Sequence, residues 1–184
     1  MKKKLILTLA LLFYGVSAFA DNISIPAVFD GKITRLEMRI DESGDFYRYA
    51  NPRFKFHAFV PACVTKALLP MNGDGVFFTN DDKTVEYTVS GHYNSTFSTA
   101  EKEYYDILRF IGKDTVTYSD WGRGWYVVSG VKDGRVYYIY CIVGEVTVST
   151  MSFEYPYDQK DQYDWMIPVL VENFHSGNMG GVKS

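Results

Sequence analysis

Between residues 54 and 155, apolar and polar side chains alternate in short runs, and Gly- or Asp-rich turns break the runs apart. That alternation is the strongest constraint the chain carries. A two-residue period puts apolar side chains on one face of a pleated strand, whereas a helix needs a period near 3.6. In residues 54–60, Phe54, Phe56, Ala58 and Val60 form an apolar row, ended by Pro61. In residues 85–93, Val85, Tyr87 and Val89 share one face, and Glu86, Thr88, Ser90 and His92 the other. Further strands are expected at residues 46–49, 63–69, 76–79, 115–121, 125–131, 136–143 and 146–155. Asn72-Gly73-Asp74-Gly75, Lys132-Asp133-Gly134-Arg135 and Gly144-Glu145 are the turns between them. Asp-Gly suits the type I′ turn of a tight hairpin, so the last four strands should run antiparallel.

Two segments depart from the two-residue period. Ser98-Thr99-Ala100-Glu101 reads as a capping box that opens a helix. Tyr104, Ile107, Leu108 and Ile111 then give it an apolar stripe, and Gly112 stops it. A last helix is expected over residues 158–175, with Tyr163, Ile167, Leu170, Val171 and Phe174 buried and Pro168 kinking it or starting a new first turn. The fold expected from these elements is α+β, an antiparallel β-sheet flanked by two amphipathic helices. Residues 21–45 read as a lead-in with one strand at Lys32–Ile40, residues 46–175 as the domain, and residues 176–184 as a flexible Gly-rich tail.

The N-terminus narrows the compartment. Three lysines at positions 2–4 precede an apolar run over residues 5–16, too short for the roughly 20 residues a spanning helix needs. Ala18-Phe19-Ala20 fits the small-x-small pattern of a signal-peptidase site, with Val16-Ser17-Ala18 as a second cut. Residues 1–20 therefore read as a cleavable export signal, and the periplasm is the expected location. Losing the three lysines takes the net charge from −3 to −6. A mildly acidic surface argues against nucleic acid as a partner, and no later run is long enough for an integral membrane anchor. In an oxidising compartment Cys63 and Cys141 can form one disulfide; the alternative is two separate buried thiols.

Four stretches in order resemble one family. Tyr49-Ala50-Asn51-Pro52-Arg53-Phe54-Lys55-Phe56 is similar to the opening of bacterial PsbP-like domains, and Asn72-Gly73-Asp74-Gly75-Val76-Phe77-Phe78-Thr79 to one of their turns. Trp125-Tyr126-Val127-Val128-Ser129-Gly130 resembles one of their strands. Phe153-Glu154-Tyr155-Pro156, with Tyr163-Asp164, resembles the approach to their C-terminal helix. The resemblance spans residues 49–174. It implies a PsbP-like α/β/α sandwich whose members act in binding, assembly or as adaptors, including chaperones of secretion effectors. It carries no catalytic residue over, because the matched positions are backbone and core features.

The chemistry-bearing residues point the same way. His57 and His92 could converge with Glu86 if their strands were neighbours, which would suit a small periplasmic hydrolase or ligand-binding protein. Cys63 lacks any local nucleophile signature, and Ser129 lacks the Gly-x-Ser-x-Gly elbow. The acidic turns at residues 41–45 and 80–82 lack the EF-hand pattern, and Asp158, Asp161 and Asp164 suit a helix N-terminus. No catalytic residue, metal or cofactor is therefore expected. The aromatic surplus, 15 Tyr, 13 Phe and 3 Trp, is the more telling feature. Trp121, Arg123 and Trp125 around a Gly-Arg-Gly turn, with Tyr137, form the candidate interface. The expected function is a non-enzymatic periplasmic module that binds another protein, with an immunity or adaptor protein linked to a secretion system as its specific form.

Overall fold

The computed structural model describes residues 22–177. The proposed export signal and positions 178–184 of the proposed tail lie outside the described residues. Eleven strands form one sheet: β1 (Asn22–Phe29), β2 (Lys32–Ile40), β3 (Phe46–Ala50), β4 (His57–Pro61), β5 (Lys66–Leu69), β6 (Gly75–Thr79), β7 (Glu86–Tyr93), β8 (Val116–Gly122), β9 (Trp125–Lys132), β10 (Arg135–Val143) and β11 (Thr147–Pro156). Helices are α1 (Ala100–Ile111), α2 (Lys160–Tyr163) and α3 (Met166–Glu172). The strand order is β4-β3-β2-β1-β5-β6-β7-β11-β10-β9-β8.

The expected architecture needs correction. The sheet is mixed, because β1 and β5 pair in parallel, at Ala27↔Ala67, Val28↔Leu68 and Phe29↔Leu69. Strand dominates, and two long flanking helices do not form. Only α1, at 12 residues, has the expected length. The C-terminal stretch expected as one helix is a 3-10 turn (Tyr157–Gln159), then α2 of four residues and α3 of seven. Two residues, Asp164 and Trp165, part α2 from α3, and Pro168 sits in the first turn of α3, where a missing N–H costs nothing. The Tyr155 hydroxyl donates to Asp164 Oδ1 at 2.5 Å, fixing this break against β11.

The lead-in also holds more structure than the one strand expected. Residues 22–40 form the β1–β2 hairpin, with eight paired positions from Asn22↔Arg39 to Phe29↔Lys32. Pro26 interrupts the sequence signal for β1, yet the ladder to β5 begins only at Ala27, so no bond to β5 is lost. Ser176, placed in the tail by the sequence reading, is buried against Thr147.

The sheet closes on itself over its first seven strands. The Tyr87 hydroxyl on β7 donates to the Phe59 carbonyl on β4 at 2.7 Å, although five strands separate the two in the ladder. Gly91 lets this happen. A Cβ there would lie 2.9 Å from Phe54 Cβ and 3.0 Å from Phe54 Cγ. The interior so formed holds Phe56, Val60, Phe78, Val85, Tyr87, Val89, Met151 and Phe153, all fully buried.

β10 divides two cores. Val136 and Ile142 face this interior, whereas Tyr137, Cys141 and Val143 face a second cluster beneath α1 with Leu108, Tyr126 and Val128. The two-residue period therefore buries both faces of one strand. That explains tyrosines at successive positions, Tyr137 on one side and Tyr138 on the other.

Candidate functional site

Two concavities flank the sheet. One is a groove of about 900 Å³ near the β8–β9 turn. It is walled by the loop before α1, the β8–β9 turn and the β10–β11 turn. The loop is built by Asn94, which is buried. Its Nδ2 donates to the Ser98 and Gly144 carbonyls, both at 2.9 Å, and its Oδ1 accepts from the Ser98 N–H at 2.7 Å. The Asn94 N–H donates to the Val146 carbonyl at 2.9 Å, and the Val143 N–H to the Gly124 carbonyl at 2.8 Å. Backbone and amide bonds thus tie all three walls together.

This bracing holds Phe97 in an unusual state. Its φ is 52°, in the left-handed region where an aromatic residue is strained, and its side chain is 83% exposed. Trp121, exposed, and Val146, also exposed, stand on the other walls. Trp125 is half-buried and packs on Tyr140 with ring centroids 6.4 Å apart. Its indole lies so close over Gly122 that a Cβ there would come within 2.7 Å of Nε1. Arg123, at the tip of the turn, is exposed and lines the same groove. Ser98 Oγ is buried here without a hydrogen-bond partner among the described residues. Thr99, not Ser98, caps α1, accepting from the Lys102 N–H at 3.2 Å; with Lys102 at the third helical position the expected Ser98–Glu101 capping box does not form.

Of the four interface candidates, the structure brings Trp121, Arg123 and Trp125 to the groove. Tyr137 lies elsewhere. It is buried beneath α1, with its hydroxyl 3.1 Å from Thr115 Oγ1. The sequence reading missed Phe97, Asn94 and Val146. An aromatic in the otherwise polar Asn94-Ser95-Thr96-Phe97-Ser98-Thr99 was the available signal, but at a helix entrance it reads more naturally as a buried staple.

The second concavity, also about 900 Å³, lies between the β1–β2 hairpin and β3–β4. His57 lines it, but His92 does not. His92 is exposed on β7, opposite Val148. The partner of His57 is His175: each N–H donates to the other's carbonyl at 2.9 Å. Glu86 sits at the opposite end of β7, within 3.7 Å of Arg135. The proposed His57–His92–Glu86 constellation therefore does not assemble.

The expected disulfide is also absent; both cysteines are free. Cys63 packs against the interior of the closed half, and Cys141 lies beneath α1 on the other face of β10. The sheet stands between them. Burial pushes each thiol up to about 11, which leaves little thiolate for nucleophilic chemistry near neutrality. Among the described residues there is no group of three or more His, Cys, Asp or Glu side chains able to hold a metal ion. No described helix is long and apolar enough to cross a membrane.

Comparison with solved structures supports a PsbP-like fold for this curled mixed sheet. The solution structure of cyanobacterial PsbP (CyanoP) from Synechocystis sp. PCC 6803 matches with a TM-score of 0.54 at 13% identity. The match covers 72% of this chain and 92% of that one. No family model matches the chain, and no curated protein does.

Proposed function

We propose that this protein is a non-enzymatic binding module that acts in the periplasm and recognises another protein through the groove at Phe97, Trp121 and Trp125. One observation carries the proposal: a largely exposed phenylalanine held at φ 52° by a buried asparagine network. Backbone strain and apolar exposure both cost free energy, and such costs concentrate where a ligand repays them. Aromatic and arginine side chains at the rim of a braced groove are the residue types that anchor protein interfaces.

The periplasmic location rests on the sequence of residues 1–20, a lysine-headed apolar run ending in Ala-Phe-Ala. An immunity or adaptor protein working beside a secretion system is the form of this function that agrees with export and an acidic surface. The test is affinity capture from a periplasmic extract with the wild-type protein and with Phe97→Ala and Trp121→Ala. A specific partner should be captured by the wild type and lost, or weakened at least tenfold, in each variant. Capture undiminished by both substitutions overturns the proposal.

A further inference from the structure

The second concavity carries a charge of the opposite sign to the chain. The protein has a net charge of −3, yet this cleft gathers cationic and protonatable side chains. Successive cross-strand partners run across β1 to β4: Asn22↔Arg39, Arg39↔Arg48 and Arg48↔Phe59. All four residues line the cleft. Two arginines thus stand directly opposite one another on adjacent strands, where like charges destabilise a sheet. Neither forms an ion pair among the described residues. The Arg48 guanidinium sits 5.4 Å from the Phe59 ring centroid, which holds it in place over the aromatic face.

His57 lies two residues from Phe59 on β4, so their side chains share a face. His175 exchanges both backbone hydrogen bonds with His57, a pairing that puts the two imidazoles on the same side of the ladder. Both line the cleft. Among the described residues, Glu37 is the only carboxylate lining it, and Glu37 Oε1 accepts from the Ser24 hydroxyl at 2.5 Å.

From this arrangement we propose that the cleft binds a small organic anion. Its carboxylate or phosphate group bridges Arg39 and Arg48, and its apolar part rests on Phe59, which shares their face of the sheet. The guanidinium fork matches either oxyanion bidentately, and a bridging anion removes the repulsion between the two arginines. About 900 Å³ is within the range of small-molecule sites. The site does not depend on the groove and stands or falls separately.

The test is to titrate the purified protein with citrate and, separately, with inorganic phosphate. Arginine Nε–Hε and histidine ring signals are followed by NMR and the melting temperature by calorimetry, with sodium chloride at matched ionic strength as the control. At least one of the two anions should give saturable shifts at Arg39, Arg48, His57 and His175 and raise the melting temperature. Which one does so decides between carboxylate and phosphate recognition. R39Q and R48Q should each weaken binding about tenfold. Without ligand, R39Q should melt at or above the wild-type temperature, because the opposed charges are relieved. The proposal is overturned if neither anion saturates, if chloride reproduces the shifts, or if the affinity survives both substitutions.

Discussion

Phe97 carries two costs in one residue, a left-handed backbone and an exposed ring. Phe97→Gly removes both and should raise stability by about 1 kcal/mol in urea unfolding, while partner capture falls at least tenfold. Loss of both stability and binding would show that the ring packs in the fold. Asn94→Ala is the opposite case. It leaves the Ser98 N–H and two carbonyls without their partners. It should cost about 2–3 kcal/mol by the same measurement and weaken capture without touching the groove's aromatic residues. That Trp121 and Trp125 lie together was legible in the sequence, because the Gly-Arg-Gly turn between them brings both to the same end of β8 and β9. Phe97 was not legible, since its exposure depends on Asn94 reaching Gly144, fifty residues away. Tyr137 misled for the same kind of reason: strand alternation gives its side but not what covers that side.

At the scale of elements, β7, β10 and β11 are joined by a charge clamp. Glu86 and Glu154 are direct cross-strand partners, and Arg135 reaches both, at 3.7 and 3.8 Å, while its Nη1 donates to the Thr84 carbonyl at 2.8 Å. Burial first, and the neighbouring Glu86 second, push the Glu154 carboxyl above the usual glutamate range, with Arg135 pulling it back. A carboxyl raised in the folded state binds more protons there than in the unfolded chain. Its ionisation therefore lowers stability as pH rises through the window between the two values. Arg135→Met removes the opposing cation and should cost about 1–2 kcal/mol at pH 7 and distinctly less at pH 4, as read from urea midpoints at both. An equal cost at both pH values would remove the electrostatic account.

Elements with a local rule were the readable ones. The alternation of Val85, Tyr87 and Val89 marked β7, and Asp133 and Gly134, at φ 49° and 74°, made the hairpin turn their residue types favour. β1 was hidden by Pro26, and the break between α2 and α3 by a stripe that keeps helical spacing across it. The break is fixed by a contact that the stripe does not show, the Tyr155 hydroxyl on Asp164.

For the molecule as a whole, the sheet is a partition with a cysteine on either side. Mass analysis after alkylation without reduction should find two free thiols, even in protein purified from an oxidising compartment. Cys141, fully buried, should label only as fast as the fold opens, and half-buried Cys63 should label sooner. A bridged species would require β10 to be rebuilt.

The β1–β2 hairpin is joined to its neighbours by only two short seams, two residue pairs to β3 and three to β5. It is sewn along its own length far better than to the body it belongs to. Amide protons that bond β1 and β2 to those neighbours should exchange ahead of those in the β10–β11 ladder, which has nine pairs. Anything lodged between Arg39 and Arg48 would stitch the looser seam shut, so occupancy of the cleft would be written in the exchange rates of a hairpin that touches it along one edge.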